Sequence, residues 1–269
     1  MTGIEKTRVG DIDIAYRWDG PEDGPIVVMA HAMGTSHRIW DWQMPALTDR
    51  YRILRYDFRG AGQSDAPEGP YSLAQFNTDA VSLLDAFGLD TVHWVGLSTG
   101  GMIGQGLGIY HPERVHSLSL CCTLSYTEDE HRVWIDERQE VVKREGMVPV
   151  WETTDNIWFT DAFAKAANAD YHAVREIFIS TPVTGYLGGT SAVSGLAYRD
   201  LLHKITTPTN IIGSQGDPAA PIECAHAIHE RIKGSRLTIV QNQHHFPNVE
   251  GADEFNAILR RGLDEFVDG

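Results

Sequence analysis

A serine near the middle of the chain has the surroundings of a catalytic nucleophile. Ser98 lies in the sequence Gly-Leu-Ser-Thr-Gly-Gly at positions 96–101, directly after the apolar run at 92–95 and directly before a helix-like stretch. A sharp turn from a strand into a helix needs small residues two positions before and after the serine, because the backbone leaves no room there for a Cβ. The first turn of the helix directs free N–H groups toward a negative charge that develops beside the hydroxyl. The pattern therefore predicts a nucleophilic serine.

A serine hydroxyl is a weak nucleophile, so it needs a base and a group that orients the base. In a sheet of this kind the expected chain order is serine, acid, histidine. Asp217 lies in the turn after the apolar run at 209–213, and His244 and His245 follow the last apolar run. In some enzymes with this kind of sheet, the acid instead follows an earlier strand. In this sequence that position, 122–124, reads Cys-Thr-Leu and has no carboxylate. We expect Asp217 to be the acid and one of the two histidines the base; an ordinary turn aspartate and a loop histidine are the alternatives.

The reaction also needs donors for the oxyanion that forms when an alcohol attacks a carbonyl carbon. The apolar run at 26–31 ends in the sequence Ala-Met-Gly-Thr at 32–35. One donor usually comes from such an early loop and the other from the residue after the nucleophile. We therefore expect the backbone N–H groups of Met33 and Thr99 to form the oxyanion hole, with a plain strand-ending turn as the alternative.

The elements around these residues predict a fold of the α/β class. Apolar strand-like runs alternate with amphipathic helix-length stretches, which indicates a mostly parallel central sheet flanked by helices. Catalytic groups should then lie at the carboxyl ends of the strands. The strand-like runs lie near 11–17, 25–30, 52–57, 92–97, 115–122, 209–213 and 236–241, and the helical stretches at 72–87, 101–110, 220–232 and 251–267.

This alternation stops between about residues 125 and 201. The segment is rich in Trp, Glu, Asp and Ala, has helical spacing and contains no convincing strand. We interpret 125–201 as a helical cap inserted into a core domain made of 1–124 and 202–269. Such an insertion would roof the active site.

Charge and composition exclude several classes of function. The formal net charge of −15 argues against nucleic acid or an anionic membrane as a partner, since both require a basic surface. The sequence begins without an apolar leader region, has no run of about 18 apolar residues, and contains only three cysteines. We expect a cytoplasmic protein without a disulfide framework. The sequence leaves open whether it forms a homo-oligomer.

No cofactor or metal is expected. His226 and His229 lie three residues apart on one helical stretch, but no third ligand is evident. The glycine-rich sequence at 104–108 lacks the final glycine of a dinucleotide-binding loop and does not follow a first strand. With a predicted nucleophilic serine, the expected partner is a small-molecule ester or a related carbonyl substrate.

The motifs together resemble those of α/β-hydrolases, and more closely those of 3-oxoadipate enol-lactonases, over residues 12–266. This resemblance implies the α/β-hydrolase fold and the opening of a lactone ring. The enol-lactonase histidine occurs in an H-x-x-N-V-E pattern, which His245 matches and His244 does not, so the resemblance favours His245 as the base. Four residues depart from the family: Thr99 replaces a bulky apolar residue, His244 a small one, and His31-Ala32 an Asn or Ser pair. The matching segments are 34–35, 40–41, 56–57, 59–60, 96–98, 100–102, 111–114, 158–160, 181–182, 185–186, 216–218, position 245 and 248–250.

A lactone of this kind carries a carboxylate, and the cap offers a group to bind it. Trp134 and Arg138 lie four residues apart on one helical face, which places an apolar ring beside a guanidinium that can bind a carboxylate with two hydrogen bonds. A similar pair occurs in the family's cap. The alternative is a surface salt bridge of Arg138 with a nearby carboxylate. Other reactions of the same fold remain alternatives: hydrolysis of a simple ester, an amide or a carbon–carbon bond, or ligand binding without catalysis.

Overall fold

The protein is built on an eight-stranded sheet, seen here in a computed structural model that describes residues 3–268. The strands are β1 (Glu5–Val9), β2 (Ile12–Asp19), β3 (Ile26–Ala30), β4 (Arg52–Tyr56), β5 (Val92–Leu97), β6 (Val115–Cys121), β7 (Thr209–Ser214) and β8 (Arg236–Val240). Their order across the sheet is β1-β2-β4-β3-β5-β6-β7-β8.

Most of the sheet is parallel, as the sequence predicts. β1 and β2 form an antiparallel edge, whereas every pair from β4 to β8 is parallel. The register aligns Ala30 with Gly96 and Leu97 with Cys121, so the loops after β3, β5 and β6 leave the sheet side by side. The loops after β7 and β8 leave the same edge, which is where α/β sheets bind their ligands.

Twelve helices accompany the sheet within the described range. They are α1 (Met44–Leu47), α2 (Leu73–Ala86), α3 (Thr99–Tyr110), α4 (Asp129–Glu145), α5 (Val148–Trp151), α6 (Asp155–Trp158), α7 (Asp161–Ala166), α8 (Ala169–Ile179), α9 (Val183–Ser194), α10 (Ile222–Arg231), α11 (Pro247–Glu250) and α12 (Ala252–Asp268). Short 3₁₀ helices span His37–Gln43, Pro112–Arg114 and Arg199–Lys204. Between residues 3 and 268, no helix has both the length and the apolar composition required to cross a membrane.

Helices cover both faces of the sheet, and the side chains of the central strands alternate between two cores. Val28 and Trp94 belong to a core shared with α2 and α3, whereas Val27 and Val95 belong to a second core shared with α12. All four side chains are fully buried. Because successive side chains point to opposite faces and both faces are covered, these strands are apolar throughout their length.

β1 and two short helices are elements that the sequence patterns did not predict. Glu5–Val9 is mostly polar and exposed, with Val9 as its buried residue, so it carries no apolar run. It forms a strand because it pairs with β2 in a regular antiparallel register. α1 and α11 have four residues each, which is too short for a helical period to be visible.

Residues 125–201, which we call the cap segment, contain α4 to α9 and lie between β6 and β7. A β-bridge between Tyr126 and Ala197 and a hydrogen bond from Thr127 Oγ1 to the Val193 carbonyl (2.6 Å) tie the two ends of the segment together. The helical character of the segment agrees with the sequence pattern. The division into a core domain and a cap domain stays a prediction.

Candidate active site

Ser98 occupies a strained turn between β5 and α3. Its φ of 52° and ψ of −111° lie in a region that a residue with a side chain rarely adopts. A Cβ built on Gly96 would lie 2.1 Å from the Gly100 carbonyl oxygen, and one on Gly100 would lie 2.1 Å from the Ala30 carbonyl oxygen. Both glycines are therefore required for the turn, and such strain is typical of functional positions.

Neighbouring backbone and side-chain groups hold this turn in place. The Ser98 N–H donates to the Cys121 carbonyl (2.8 Å), and Thr123 Oγ1 donates to the Ser98 carbonyl (2.7 Å). The same carbonyl accepts hydrogen bonds from the Gly101 and Met102 N–H groups, which start α3. The backbone around the hydroxyl is thus fixed by four hydrogen bonds.

Asp217 and His245 are brought together from the loops after β7 and β8. His245 Nδ1 lies 2.7 Å from Asp217 Oδ2, and both side chains are buried. The second carboxylate oxygen, Oδ1, accepts hydrogen bonds from the Ala219 (2.8 Å) and Ala220 (2.9 Å) N–H groups. The carboxylate is thereby held in one orientation and fixes the position of the His245 ring.

The two loops are also joined through their backbones. The Gly216 N–H (2.9 Å) and Ser214 Oγ (2.7 Å) both donate to the Gln243 carbonyl. His244 points elsewhere: its Nδ1 donates to the Asn156 carbonyl of α6 (3.0 Å). Of the two adjacent histidines, His245 is the one next to an acid.

Ser98 and His245 line the same cavity. Among the described residues, no hydrogen bond joins the Ser98 hydroxyl to His245. Catalytic hydrogen bonds of ligand-free enzymes are often long and shorten when substrate binds.

The loop after β3 lies against the start of α3. The Gly100 N–H donates to the His31 carbonyl (3.0 Å), and Met33 and Thr99 both line the cavity beside Ser98. Gly34 has a φ of +71°, and a Cβ there would lie 3.0 Å from the Phe178 ring. The two amides expected for an oxyanion hole therefore belong to adjoining segments.

His31 is a structural support of this loop that the motif analysis did not identify. It is fully buried and stacked on Phe58 at a ring distance of 3.8 Å. Its Nδ1 donates to the Ala32 carbonyl (2.8 Å), and its Nε2 accepts from the Phe58 N–H (3.2 Å), so the ring is neutral. Burial lowers the pKa of His31 to about 4. The sequence distinguishes His31 only as part of a pair that departs from the resembled pattern, and it does not indicate this supporting role.

The cavity has a volume of about 800 Å³ and lies between the core and the cap segment. Six of the seven residues expected at the site line it, and Asp217 lies behind His245. The cap side of the wall includes Trp134, Arg138 and Tyr186. The lining also includes exposed charged residues of both signs, among them Glu223 and Arg231, and we call this exposed part of the lining the mouth of the cavity.

Arg138 is buried and has only neutral hydrogen-bond partners. Nε donates to Tyr186 Oη (2.9 Å), Nη1 to Thr153 Oγ1 (3.2 Å), and Nη2 to the Val150 carbonyl (3.2 Å) and to Thr154 Oγ1. Its exposed fraction is 8%. The surface salt bridge considered as the alternative from sequence does not form, because the guanidinium points inward, away from the carboxylates on the solvent side of α4.

This leaves a buried positive charge without a counterion among the described residues. The Trp134 ring lies 4.7 Å from the guanidinium carbon, which offers a partial compensation through its π face. A buried charge without a partner is costly. A bound anion in the cavity would supply the missing charge.

His131 and Cys224 also line the cavity and were not predicted as site residues. His131 precedes Trp134 by three residues on α4, and their rings are 5.4 Å apart. Burial, together with the nearby His245, lowers the pKa of His131. Burial and the Asp217 carboxylate raise the pKa of the Cys224 thiol to about 11, so Cys224 is not a ready nucleophile.

The residues after His245 position its loop. Asn248 Nδ2 donates to the Ile39 carbonyl (2.8 Å), and Gln43 Nε2 donates to the Asn248 carbonyl (2.7 Å). Glu250 accepts from both the N–H (3.0 Å) and the hydroxyl of Thr160 in the cap segment. The polar residues of the H-x-x-N-V-E pattern thus connect the histidine loop to the core and to the cap segment.

No group of three or more His, Cys, Asp or Glu side chains within residues 3–268 is arranged to hold a metal ion.

The chain is similar in sequence and in fold to several known proteins. The family model of the alpha/beta hydrolase fold matches residues 25–148. The chain is 31% identical to 3-oxoadipate enol-lactonase 1 of Acinetobacter baylyi, with 91% of each chain covered. It is 27% identical to a putative carbamate hydrolase of Yersinia enterocolitica, covering 87% of this chain and 85% of that one. The crystal structure of the enol-lactonase from Burkholderia xenovorans LB400 superimposes with a TM-score of 0.92 at 29% identity, covering 96% of this chain and 99% of that one.

Proposed function

The chain belongs to the α/β-hydrolase family and is a hydrolase, and from that premise we propose that it opens a small carboxylated enol-lactone through an acyl-enzyme on Ser98. Asp217 and His245 complete the catalytic triad. The lactone named for the enol-lactonase relatives, 3-oxoadipate enol-lactone, is the candidate substrate.

The reaction proceeds in two halves. His245 takes the proton of the Ser98 hydroxyl as its oxygen attacks the lactone carbonyl carbon, and Asp217 stabilises the imidazolium that results. The Met33 and Thr99 N–H groups bind the oxyanion. When the ring C–O bond breaks, His245 returns the proton to the enol oxygen, and the free enol converts to the ketone.

The second half releases the product. A water molecule gives its proton to His245 and attacks the acyl carbon, and the bond to Ser98 Oγ breaks as that oxygen regains its proton. An enol is a better leaving group than an alkoxide, so acylation needs less help from the general acid. Hydrolysis of the acyl-enzyme is therefore the expected slow step.

The buried, uncompensated guanidinium of Arg138 is the observation that supports a carboxylated substrate. Arg138 has five N–H donors, of which four are occupied within the cap segment, so one Nη1–H remains. The Tyr186 hydroxyl accepts from Arg138 Nε and keeps its own proton to donate. Both residues line the cavity that contains Ser98, and together they offer two donors and a positive charge to a carboxylate.

The net charge of −15 does not prevent binding of an anion. Repulsion between exposed charges is screened over about 8 Å in physiological salt. A guanidinium that is buried beside the ligand is screened much less, so its attraction dominates once the substrate has entered.

A substrate panel tests this function. We compare kcat/KM for the enol-lactone made from muconolactone, a neutral lactone of the same ring size, p-nitrophenyl acetate and a small carbamate. We expect the carboxylated lactone to exceed the neutral lactone by about 10- to 100-fold, since a charge-assisted pair distinguishes the two. A higher kcat/KM for the carbamate or a neutral ester contradicts the substrate assignment.

The Ser98→Ala variant, assayed on the same panel, tests the nucleophile separately. We expect it to lose turnover of every substrate. Retained activity above a small fraction of wild type contradicts the acyl-enzyme. Covalent labelling of Ser98 by a fluorophosphonate, followed by loss of turnover, excludes a non-catalytic receptor.

A further inference from the structure

The hydroxyl of Thr99 is buried beside the nucleophile and has no hydrogen-bond partner. Thr99 is 1% exposed, and its Oγ1 is one of the buried side-chain polar atoms in residues 3–268 that bond to nothing. Of the residues that carry such atoms, Thr99 is the one that also lines the cavity. The other residues with unpaired buried atoms are Trp40, Tyr56, Asn77, Gln105, Ser119, Gln243 and Asn248.

The position of Thr99 in α3 explains why its hydroxyl lacks a partner inside the protein. A threonine within a helix usually donates to the carbonyl three or four residues earlier. Thr78 does so to Ala74 (3.0 Å) and Thr190 to Tyr186 (2.8 Å). Thr99 is the first residue of α3, so the residues three and four positions before it belong to β5 and not to a preceding helical turn.

An unpaired buried hydroxyl is unfavourable for folding, and in native proteins such an atom calls for an explanation. A ligand that pairs it is one explanation, because Thr99 directly follows the proposed nucleophile in the chain and lines the same cavity. The backbone N–H of the same residue is the expected oxyanion donor. The proton of a threonine hydroxyl rotates about the Cβ–Oγ1 bond, so it turns toward whichever acceptor is present.

We propose that the Thr99 hydroxyl is a catalytic donor: it gives a hydrogen bond to the substrate's carbonyl oxygen as that oxygen becomes the oxyanion, beside the N–H of the same residue. This rests on the proposed attack by Ser98. No covalent step is added, because the hydroxyl keeps its proton. The interaction is made with the acyl carbonyl that all ester and lactone substrates share, so it is independent of the carboxylate contact at Arg138.

Two variants at this position separate the hydroxyl from the shape of the side chain. Thr99→Val keeps the volume and removes the hydroxyl, whereas Thr99→Ser keeps the hydroxyl. We expect Thr99→Val to lower kcat on the order of 10²-fold, the effect of losing one oxyanion donor, with little change in KM. Thr99→Ser should retain most of wild-type kcat. The ratio of variant kcat to wild-type kcat should be similar for p-nitrophenyl acetate and for the enol-lactone.

Thermal stability is a second measurement. If the Thr99 hydroxyl had a purely structural role, removing it would lower Tm, as we expect for a hydroxyl that is paired within the protein. Thr209 is equally buried at the start of β7, away from the cavity, and its hydroxyl donates to the Thr207 carbonyl (2.7 Å). Thr209→Val should therefore lower Tm and leave kcat unchanged. Thr99→Val should leave Tm unchanged or raise it, because it removes a buried hydroxyl that the free enzyme does not pair.

Three results overturn the proposal. The first is a kcat of Thr99→Val within about twofold of wild type, far below the effect of an oxyanion donor. The second is a Thr99→Ser variant as slow as Thr99→Val. The third is a Tm loss in Thr99→Val that matches that of Thr209→Val. Failure of the proposed lactonase function is distinguishable from failure of the Thr99 proposal. It appears as poor turnover of the lactone by the wild-type enzyme, and the comparison of variants on p-nitrophenyl acetate then still tests Thr99.

Discussion

His245 Nδ1 lies 2.7 Å from Asp217 Oδ2, and the carboxylate that it contacts has no exposed side-chain surface. The same carboxylate also accepts two backbone N–H groups. An acid fixed in this way holds the imidazole with Nδ1 protonated, which leaves Nε2 free to accept a proton from the Ser98 hydroxyl.

Asp217→Asn should therefore lower kcat by about 10³- to 10⁴-fold while the fold is retained, because the amide favours the wrong tautomer of His245. Steady-state kinetics with p-nitrophenyl acetate and a circular dichroism spectrum measure the two effects. Glu223→Gln, at the mouth of the same cavity, is the matched control and should retain kcat. Equal kcat values for the two variants contradict the assignment of Asp217.

Arg138→Lys should raise KM for the carboxylated lactone about 10-fold or more and change the kinetics of a neutral ester little, since a lysine keeps the charge but not the planar set of donors. Tyr186→Phe removes the hydroxyl that accepts from Arg138 and should act in the same direction. Arg231→Gln, an exposed cation at the cavity mouth, controls for long-range charge. Similar effects of Arg138→Lys on the anionic and the neutral substrate remove Arg138 from the binding site.

The fold was predictable wherever a strand or helix has its own pattern. β3 and β5 are covered on both faces and appear as continuous apolar runs, and α2 and α12 bury one face and carry the helical period. The stretch at 101–110, expected to be amphipathic, is instead buried on all sides in α3. β1 has no such signal, because one buried residue in a polar edge strand makes no pattern and its conformation depends on pairing with β2.

The site was predictable to a different degree at each residue. The Ser98 turn is a local structure whose glycine requirements are visible in the sequence. The choice between His244 and His245 depended on the family resemblance, because a loop sequence does not show which of two adjacent side chains points toward the site. The burial of Arg138 was not predictable, since its partners Tyr186 and Thr154 come from distant parts of the cap segment.

The cap helix α9 packs closely against the core where Gly185 of α9 meets Gly60 of the loop after β4. A Cβ on Gly185 would lie 1.8 Å from the Gly60 carbonyl oxygen, so Gly185→Ala must displace backbone. We expect a lower Tm, corresponding to a loss of about 1–3 kcal/mol in the free energy of unfolding, and a raised KM because α9 carries Tyr186. Gly195→Ala is the control at the end of the same helix, where the nearest atom is 3.6 Å away; a Tm loss as large as that of Gly185→Ala contradicts the account.

The neutral, buried His31 makes stability fall in acid. Its pKa is about 4 in the folded protein against 6.5 when unperturbed, because burial disfavours the charged ring. Between pH 6.5 and 4 the unfolded chain binds more protons, so the free energy of unfolding decreases as the pH falls, by up to about 1.4 kcal/mol per pH unit for one such group. His93, whose pKa burial also lowers to about 4, contributes in the same direction.

Urea unfolding at several pH values between 7 and 4.5 measures this dependence. His31→Asn and His93→Asn should each reduce the slope of unfolding free energy against pH, and only the first should affect activity, since His31 supports the loop of Met33. His226→Asn, on the exposed side of α10, should leave the slope as in wild type. An unchanged slope in His31→Asn contradicts the neutral state of that ring.

Labelling with a fluorophosphonate, followed by peptide mass spectrometry, tests most directly whether Ser98 is an activated nucleophile. We expect one adduct per chain, located on the peptide that contains Ser98, with activity lost in proportion to labelling. Ser98→Ala should form no adduct, and Asp217→Asn should be labelled more slowly than wild type. An adduct on another residue, or full turnover by a completely labelled protein, contradicts it.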